Sequence, residues 1–477
     1  MQTSPILDLP TRRANALDAL RGFAILAMVF SGTIRYQILP AWMYHAQNPP
    51  PTHAFSPEIA GLTWVDVVFP LFLFAMGAAI PLALSRRLGQ GESVGKVIVS
   101  ILKRGLLLGA FAIVLQHLRP FTINPDPTRQ TWLIALVAFG LLCLTFGRWQ
   151  SFPMLKKRGV WLNLIGWVAV IGLIAQLQYG GKGFMLTRSD PILMALANVA
   201  VFGALIWLFT RNHLLLRCGI LGILLALQFS AGSPGWLKWL WSASPIPWMF
   251  QFYYLKYLFI VLPGTIAGDQ LLHWLQNGCE FDRPVSNAGT QRFWLISVWM
   301  LLIPAVLLVG LQARWLWQTT ILSFVLCGVG WRLFRDAKTS TDVLIQQFYQ
   351  WAVYWLVLGL CFEPFQAGVH KDPSTYSYYF ITTAIALFLL IVLTIWSDRF
   401  QDSSVLKLLI ANGQNPMIAY VAFANLLWPL FILSGLEDWI LAHTGTPILG
   451  VIKGIGYTLP IALLTSFFTQ RKFFWRT

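Results

Sequence analysis

Charged residues are scarce in this chain, and acidic residues are the scarcer kind. Only 11% of the 477 residues are charged, with 18 aspartates and glutamates against 34 lysines and arginines. Soluble domains carry about 25% charged residues, whereas 57% of this chain is hydrophobic and its mean hydropathy is +0.64. The scarcity of charge excludes a soluble domain of useful size and predicts an integral membrane protein.

Cysteine and histidine are also rare, with five and seven residues. The cysteines are scattered along the chain, so neither a disulfide framework nor a zinc site is predicted. The sequence also lacks a glycine-rich nucleotide loop, a metal-ligand cluster and a Ser-His-Asp signature, which leaves an ATP-driven pump or a metallohydrolase without support. No metal is therefore expected.

Long apolar runs fill most of the chain. A helix needs about 20 apolar residues to cross the hydrocarbon core of a bilayer, and the runs lie at 17–36, 64–84, 99–118, 129–147, 160–178, 190–210, 214–230, 253–274, 292–311, 315–334, 345–362, 377–396, 410–434 and 447–469. Some of them can be re-entrant. We therefore predict an all-α transmembrane bundle of about 12–14 helices, with residues 1–477 forming one domain.

The basic residues are distributed unevenly between the two sides of these helices. With the N-terminus inside, most of the 34 lysines and arginines fall in cytoplasmic segments, as the positive-inside rule requires. Both termini are then cytoplasmic, and the loop 37–63 faces outward. The net charge of +16 follows from topology and contact with the lipid bilayer, so no nucleic-acid partner is needed.

Two motifs near the N-terminus place a carboxylate at the edge of an apolar run. They are residues 17–22, LDALRG, and residues 61–70, GLTWVDVVFP. An ionisable group at membrane depth costs at least about 2.5 kcal/mol, so such a group is a functional candidate. The loop between the motifs holds His45 and His53, the only histidines of the first hundred residues.

These motifs resemble those of the heparan-alpha-glucosaminide N-acetyltransferase family of membrane acetyltransferases and its bacterial relatives. The similarity continues through residues 66–77, DVVFPLFLFAMG, and returns at 413–417, GQNPM, at Tyr420 and at 471–476, RKFFWR. The resemblance implies that acetyl-CoA, used from the cytoplasmic side, donates its acetyl group to an amino sugar on the other side. It also implies residence in a bacterial cytoplasmic membrane.

The resemblance further implies that a histidine of the outward loop is catalytic. His45 is favoured over His53 because it lies at the family-like distance from the first helix, although the loop carries a proline-rich insertion. An imidazole can serve as a base or as an acyl-carrying nucleophile near neutral pH. Asp66 can orient such an imidazole, as the third group of a triad does.

The other site residues divide into an acceptor group and a donor group. The acceptor group is expected to contact the amino sugar or glycan and comprises Ser31, Trp42 and Trp64. Ser31 stands where the family tends to have asparagine. The donor group is expected to contact coenzyme A and comprises Asp18, Arg21, Arg86, Arg87, Lys103, Arg104 and Asn415.

The donor assignments each have a structural alternative. Asp18 and Arg21 are three residues apart on one helix face, so they can equally form a structural ion pair. The charges of the other basic residues suit phosphates, but positive-inside topology predicts the same residues. Asn415 precedes Pro416 and is expected to break a helix beside a cavity.

Two more outward segments are notable. Residues 230–252 are rich in tryptophan, which predicts an interfacial belt, with a sugar-stacking platform as the alternative. Residues 363–378 carry Glu363, His370, Lys371 and Asp372, and we expect these side chains to be solvated.

Two other functions remain open at this stage. One is an O-acetyltransferase acting on a cell-envelope glycan, and the other is a transporter of a free or lipid-linked sugar. A transporter is expected to show paired broken helices, for which Pro263, Gly264 and Asp269 give only a weak indication. The enzyme interpretation is preferred, and a homodimer is compatible with it.

Overall fold

The chain folds into a bundle of helices, seen in a computed structural model that describes residues 14–149, 157–277, 287–335 and 339–475. The helices are α1 (Asn15–Thr33), α2 (Trp64–Gly89), α3 (Val94–His117), α4 (Pro120–Ile123), α5 (Arg129–Phe146), α6 (Gly159–Gln176), α7 (Pro191–Thr210), α8 (Leu214–Ser230), α9 (Trp236–Trp241), α10 (Leu258–Asn277), α11 (Asn287–Gln312), α12 (Leu316–Leu333), α13 (Ser340–Phe365), α14 (Tyr376–Arg399), α15 (Ser404–Gln414), α16 (Pro416–Ala422), α17 (Trp428–Leu433), α18 (Leu436–His443) and α19 (Pro447–Gln470).

The all-α transmembrane prediction is confirmed. In the described parts of the chain, 12 helical spans are long and apolar enough to cross a membrane. Every predicted apolar run overlaps a helix, including 214–230, which forms the 17-residue α8. The protein is therefore an integral, multi-pass membrane protein.

Short polar side chains fix where several helices begin. Asp190 accepts a hydrogen bond from the Leu193 N–H at 3.0 Å at the start of α7. Thr339 accepts from the Asp342 N–H at 3.1 Å at the start of α13. Such caps satisfy backbone N–H groups that have no partner within the helix. The polar residues between the apolar runs therefore determine where these helices begin.

The core of the bundle is built around α14. In an apolar stretch of 18 residues of this helix, 83% of the residues are buried. Beside it, α2 and α10 approach each other through small residues. A Cβ added to Gly77 would lie 2.2 Å from the Val261 carbonyl oxygen, and one added to Gly264 would lie 2.5 Å from that of Phe74. Small residues allow this backbone approach where lipid provides no hydrophobic drive between helices.

The polypeptide breaks between α15 and α16 at Asn415, as predicted, and a π-helical turn follows at Phe423–Leu427. Successive long helices run in opposite directions, so the bundle has two ends. We call the end that carries 34–63 and 366–375 the loop face. We call the end where α1 begins and α19 finishes the terminal face.

Candidate functional site

The connection between α1 and α2 is folded against the loop face. The Gln47 side-chain amide donates to the Asp372 carbonyl oxygen at 2.6 Å, and the Asp372 N–H donates to the Gln47 side-chain oxygen at 2.9 Å. The Gly61 N–H donates to the Val369 carbonyl oxygen at 2.9 Å. These bonds join the connection to the segment between α13 and α14, so both segments are held in fixed register.

His45 and Asp66 form a direct pair at this face. His45 Nδ1 lies 2.7 Å from Asp66 Oδ1. The second carboxylate oxygen, Oδ2, accepts from the N–H groups of Ala46 at 3.0 Å and Thr63 at 3.1 Å. Asp66 occupies the first turn of α2, and its bond to Thr63 is half of a capping box. The helix start therefore determines where the carboxylate lies.

The pair has the chemistry of an oriented base. The Asp66 side chain is 3% exposed and that of His45 is 38% exposed, so the carboxylate lies behind the imidazole and the ring reaches the surface. An ionised carboxylate accepts hydrogen bonds only, so the proton between them belongs to Nδ1. The opposite nitrogen, Nε2, is then left with a lone pair that can take a proton.

Lys371 forms one centre with His45 and Asp66, although it lies far from His45 in sequence. Its Nζ is 3.1 Å from His45 Nδ1 and 3.4 Å from His45 Nε2. Burial lowers the pKa of the Lys371 amine from its ordinary value, and the negative charges of Asp66 and Asp372 oppose that shift. The Tyr378 hydroxyl donates to the Asp66 backbone carbonyl oxygen at 2.8 Å, which fixes α14 against this helix start.

The expectation that residues 363–378 are solvated is wrong for two of the four side chains singled out. Lys371 is half-buried against His45. Glu363 is buried and pairs with Arg314, whose Nη1 lies 2.6 Å from the carboxylate. Composition alone could not reveal these partners, because both depend on how distant segments fold together.

His53 has a different environment from His45. Its Nε2 accepts from the Gln37 N–H at 3.1 Å, and its Nδ1 lies 3.2 Å from the Asn48 carbonyl oxygen. Its ring contacts Tyr36 and Tyr44 edge to face, with centroid distances of 4.8 and 4.5 Å. Both ring nitrogens are thus occupied by backbone groups, so the geometry favours a structural part for His53 and a reactive one for His45.

At the terminal face, the motif at 17–22 meets the motif at 413–417. Arg21 Nη1 lies 3.3 Å from the Asp18 carboxylate and donates to the Gly413 carbonyl oxygen at 3.2 Å. The Gln414 side-chain amide donates to Asp18 at 3.1 Å. The Asp18–Arg21 pair is therefore formed, and it has a structural function in joining α1 to α15.

The other basic donor-side candidates differ in availability. Arg86, Lys103 and Arg104 are on the surface. Arg104 lies near enough to the α1 arginine for their positive charges to interact. Arg87 already pairs with Glu92 at 2.6 Å, and hydrogen bonding to this guanidinium lowers the pKa of the Glu92 carboxyl from its ordinary value.

Asn415 does not offer a free side chain to a cofactor. It is 2% exposed, its amide donates to the Phe473 carbonyl oxygen at 2.8 Å, and its side-chain oxygen accepts from the Trp475 N–H at 3.3 Å. Its observed role is to tie the C-terminal segment to the break between α15 and α16. The contacts of Asn415 are therefore structural, whereas the sequence predicted a contact with a cofactor.

The three acceptor-side candidates all lie at the loop face. The Ser31 hydroxyl donates to the Met28 carbonyl oxygen at 2.8 Å. Trp64 packs against Phe30 with ring centroids 5.6 Å apart, and Trp42 is 57% exposed. None of these contacts involves His45, so their assignment to an acceptor stays a prediction.

A narrow apolar crevice lies between helices of the bundle. Its volume is about 20 Å³, and α1, α2, α7 and α16 line it. The residues include Ile25, Phe69, Leu196, Met417 and Tyr420. A separate cleft of about 550 Å³ lies between α3 and α6, and its lining is apolar.

The fold and the site define a multi-pass membrane protein with a histidine–carboxylate pair at one face. The chain belongs to the family described as a domain of unknown function, DUF5009, whose model matches residues 13–271, more than half of the chain. The matched region includes His45 and Asp66, whereas Lys371 and Asn415 lie beyond it. No curated protein matches the chain.

In the part of the chain that the structure describes, no group of three or more His, Cys, Asp or Glu side chains is placed to hold a metal ion.

Proposed function

We propose that this protein is a membrane-bound acetyltransferase similar to the heparan-alpha-glucosaminide N-acetyltransferase family. It takes an acetyl group from acetyl-CoA at the terminal face and transfers it to an amino sugar or glycan at the loop face. The observation that carries the proposal is the 2.7 Å contact between His45 Nδ1 and Asp66 Oδ1. A buried carboxylate that orients a half-exposed imidazole is the arrangement by which acyl-transfer enzymes activate an acceptor.

The proposed reaction uses His45 Nε2 as a general base. Nε2 takes a proton from the acceptor amine or hydroxyl as the acceptor attacks the thioester carbonyl carbon, and the carbonyl π electrons move onto oxygen. Collapse of the tetrahedral intermediate breaks the carbon–sulfur bond. The departing thiolate takes the proton from Nε2, so His45 returns to its neutral state. Transfer through an acetyl-imidazole is the second route, since imidazole is also a nucleophile.

The terminal face supports the donor half of the proposal. Arg86, Lys103 and Arg104 present positive charge on the surface there, and guanidinium groups bind phosphates through several parallel hydrogen bonds. In our proposal, the phosphates of coenzyme A stay at this face while the thioester reaches inward. The Asp18–Arg21 pair and Asn415 hold the adjoining helices in position.

In our proposal, the crevice between α1, α2, α7 and α16 marks the route of the thioester between the faces. From Arg21 to Thr33, α1 rises about 18 Å at 1.5 Å per residue, so the thioester end must cover a comparable distance. At about 20 Å³ the crevice holds roughly one water. In our proposal, α1, α2, α7 and α16 therefore separate when acetyl-CoA enters.

The transporter alternative has less support than the enzyme. A transporter would be expected to show paired broken helices at midplane, whereas α10 continues through Pro263. Asp269 pairs with the buried Arg217, with 2.6 Å between their charged atoms. An O-acetyltransferase uses the same histidine chemistry on a hydroxyl acceptor, so the acceptor must be identified by assay.

We further propose that the protein resides in a bacterial cytoplasmic membrane with the loop face outside. The positive-inside rule supports this orientation, because most basic residues then face the cytoplasm. Amino sugars and glycans of the cell envelope would meet His45 directly, and acetyl-CoA would approach from the cytoplasm.

The test is transfer of labelled acetyl from acetyl-CoA by the purified full-length protein in lipid nanodiscs. A panel of amino sugars and hydroxyl glycans serves as acceptors, and wild type is compared with His45→Ala and His53→Ala. We expect H45A to lose activity by at least about 10³-fold, and folded H53A to retain most of it. Absence of transfer to every acceptor, or full activity in both variants, would contradict the proposal.

A further inference from the structure

The position of the Lys371 amine is the observation from which a second reactive residue can be inferred. Nζ approaches both His45 ring nitrogens, at 3.1 and 3.4 Å. Distances this similar to two nitrogens of one ring place Nζ over the face of the imidazole. An acceptor that is hydrogen-bonded to Nε2 would therefore lie beside the ammonium.

The surroundings hold this amine in place without neutralising it by direct contact. Among the described residues, no carboxylate forms an ion pair with Lys371, and the carboxylate nearest to the ring is engaged with His45 itself. The neighbouring Asp372 is fixed through both of its backbone bonds to Gln47. The other titratable groups around this centre are Asp66, Asp372, Lys256, Tyr253, Tyr257 and Tyr378.

We propose that Lys371 is a catalytic residue that stabilises the oxyanion of acyl transfer. This inference rests on the proposed acetyltransferase function. In the resting site the ammonium lies against the imidazole ring of His45. When the acceptor binds at Nε2, the flexible side chain turns to the thioester carbonyl oxygen. Lys371 then donates a hydrogen bond to the negative charge that forms there.

The chemistry of this step is balanced without any further reactant. The acceptor proton goes to Nε2, the new bond forms at the carbonyl carbon, and the π electrons move to the oxygen beside Lys371. When the oxyanion collapses, the thiolate leaves with the proton from Nε2. Lys371 keeps its own protons throughout, because its contribution is electrostatic.

The kinetic constants distinguish a catalytic from a structural part for Lys371. The oxyanion forms only in the transition state, so loss of its stabilising charge lowers kcat more than it raises the KM for acetyl-CoA. Arginine at this position keeps the positive charge, whereas methionine does not.

The test compares wild type with Lys371→Met, Lys371→Arg and the control Lys182→Met, an exposed lysine between α6 and α7. We expect K371M to lose about 10²–10³-fold in kcat, with the KM for acetyl-CoA changed less than threefold. K371R should restore at least a tenth of the wild-type kcat, and K182M should match wild type.

Two results would overturn the inference. One is a folded K371M enzyme with kcat within threefold of wild type, and the other is an equal loss of kcat in K371M and K371R. If K371M does not fold, Lys371→Gln gives the same comparison. A wild-type protein that transfers no acetyl to any acceptor instead contradicts the proposed function, so the two failures are distinguishable.

Discussion

At the scale of single residues, the two oxygens of Asp66 have different partners. Oδ1 contacts His45 Nδ1 at 2.7 Å, whereas Oδ2 accepts from the Thr63 N–H at 3.1 Å at the start of α2. One carboxylate thus orients the imidazole and caps the helix. A change at this residue affects both features, so a test must separate catalysis from capping.

Asp66→Asn should separate them when compared with Asp342→Asn. Asp342 occupies the same capping-box position at the start of α13, beside Thr339. An asparagine cannot hold the reactive tautomer of His45, so we expect D66N to lower kcat by about 10³–10⁴-fold. D342N should lose stability only. Acetyl transfer and melting temperature of both purified variants are the measurements, and D66N activity above a tenth of wild type would argue against the oriented base.

At the scale of secondary-structure elements, the contact between α1 and α15 is the closest approach associated with the sequence motifs. A Cβ added to Gly22 would lie 1.8 Å from the Leu409 carbonyl oxygen, and one added to Gly413 would lie 1.7 Å from that of Asp18. Both partners are backbone atoms, which cannot turn aside. Glycine is therefore required at both positions for packing.

Gly413→Ala is expected to force α15 away from α1. Overpacking of a close contact costs about 1–3 kcal/mol, and the Arg21 bond to the Gly413 carbonyl oxygen would also be disturbed. We predict a lower melting temperature in detergent. Gly172→Ala, in α6, is the control because an added Cβ meets nothing within 4 Å there. Equal melting temperatures for G413A and G172A would mean that α15 adjusts without cost.

At the scale of the whole molecule, the proposed orientation places the loop face and the terminal face on opposite sides of the membrane. We predict that Phe55→Cys reacts with a membrane-impermeant thiol reagent in intact cells, because Phe55 is 54% exposed at the loop face. Gln90→Cys, at the terminal face, should react only after the membrane is permeabilised. Both variants are made in a background without the five native cysteines. The reverse labelling pattern would place His45 in the cytoplasm.

Much of the fold was predictable because membrane insertion depends on local sequence. Run length and polar breaks predict the helices, and Thr63 with Asp66 marks the start of α2 through a capping box that spans four residues. The break at Asn415 follows from Pro416, which cannot continue the helix. These features are all encoded within a few residues of where they occur.

The composition of the site was less predictable because it depends on contacts between distant segments. His45 and Asp66 were both candidates, but their contact depends on the path of the proline-rich connection between them. Lys371 reaches His45 across 326 positions of sequence. The Asn415 side chain is occupied by the C-terminal segment, which no local pattern could indicate.

The narrowness of the crevice also bears on the permeability of the membrane. A protein with reactive groups at both faces would drain the ion gradients of its cell if it held a continuous column of water between them. The crevice has about 20 Å³ and is lined mainly by aliphatic and aromatic side chains, so the crevice itself has no room for a chain of waters along which protons could hop. Along this crevice, protons can cross only when the helices that line it separate.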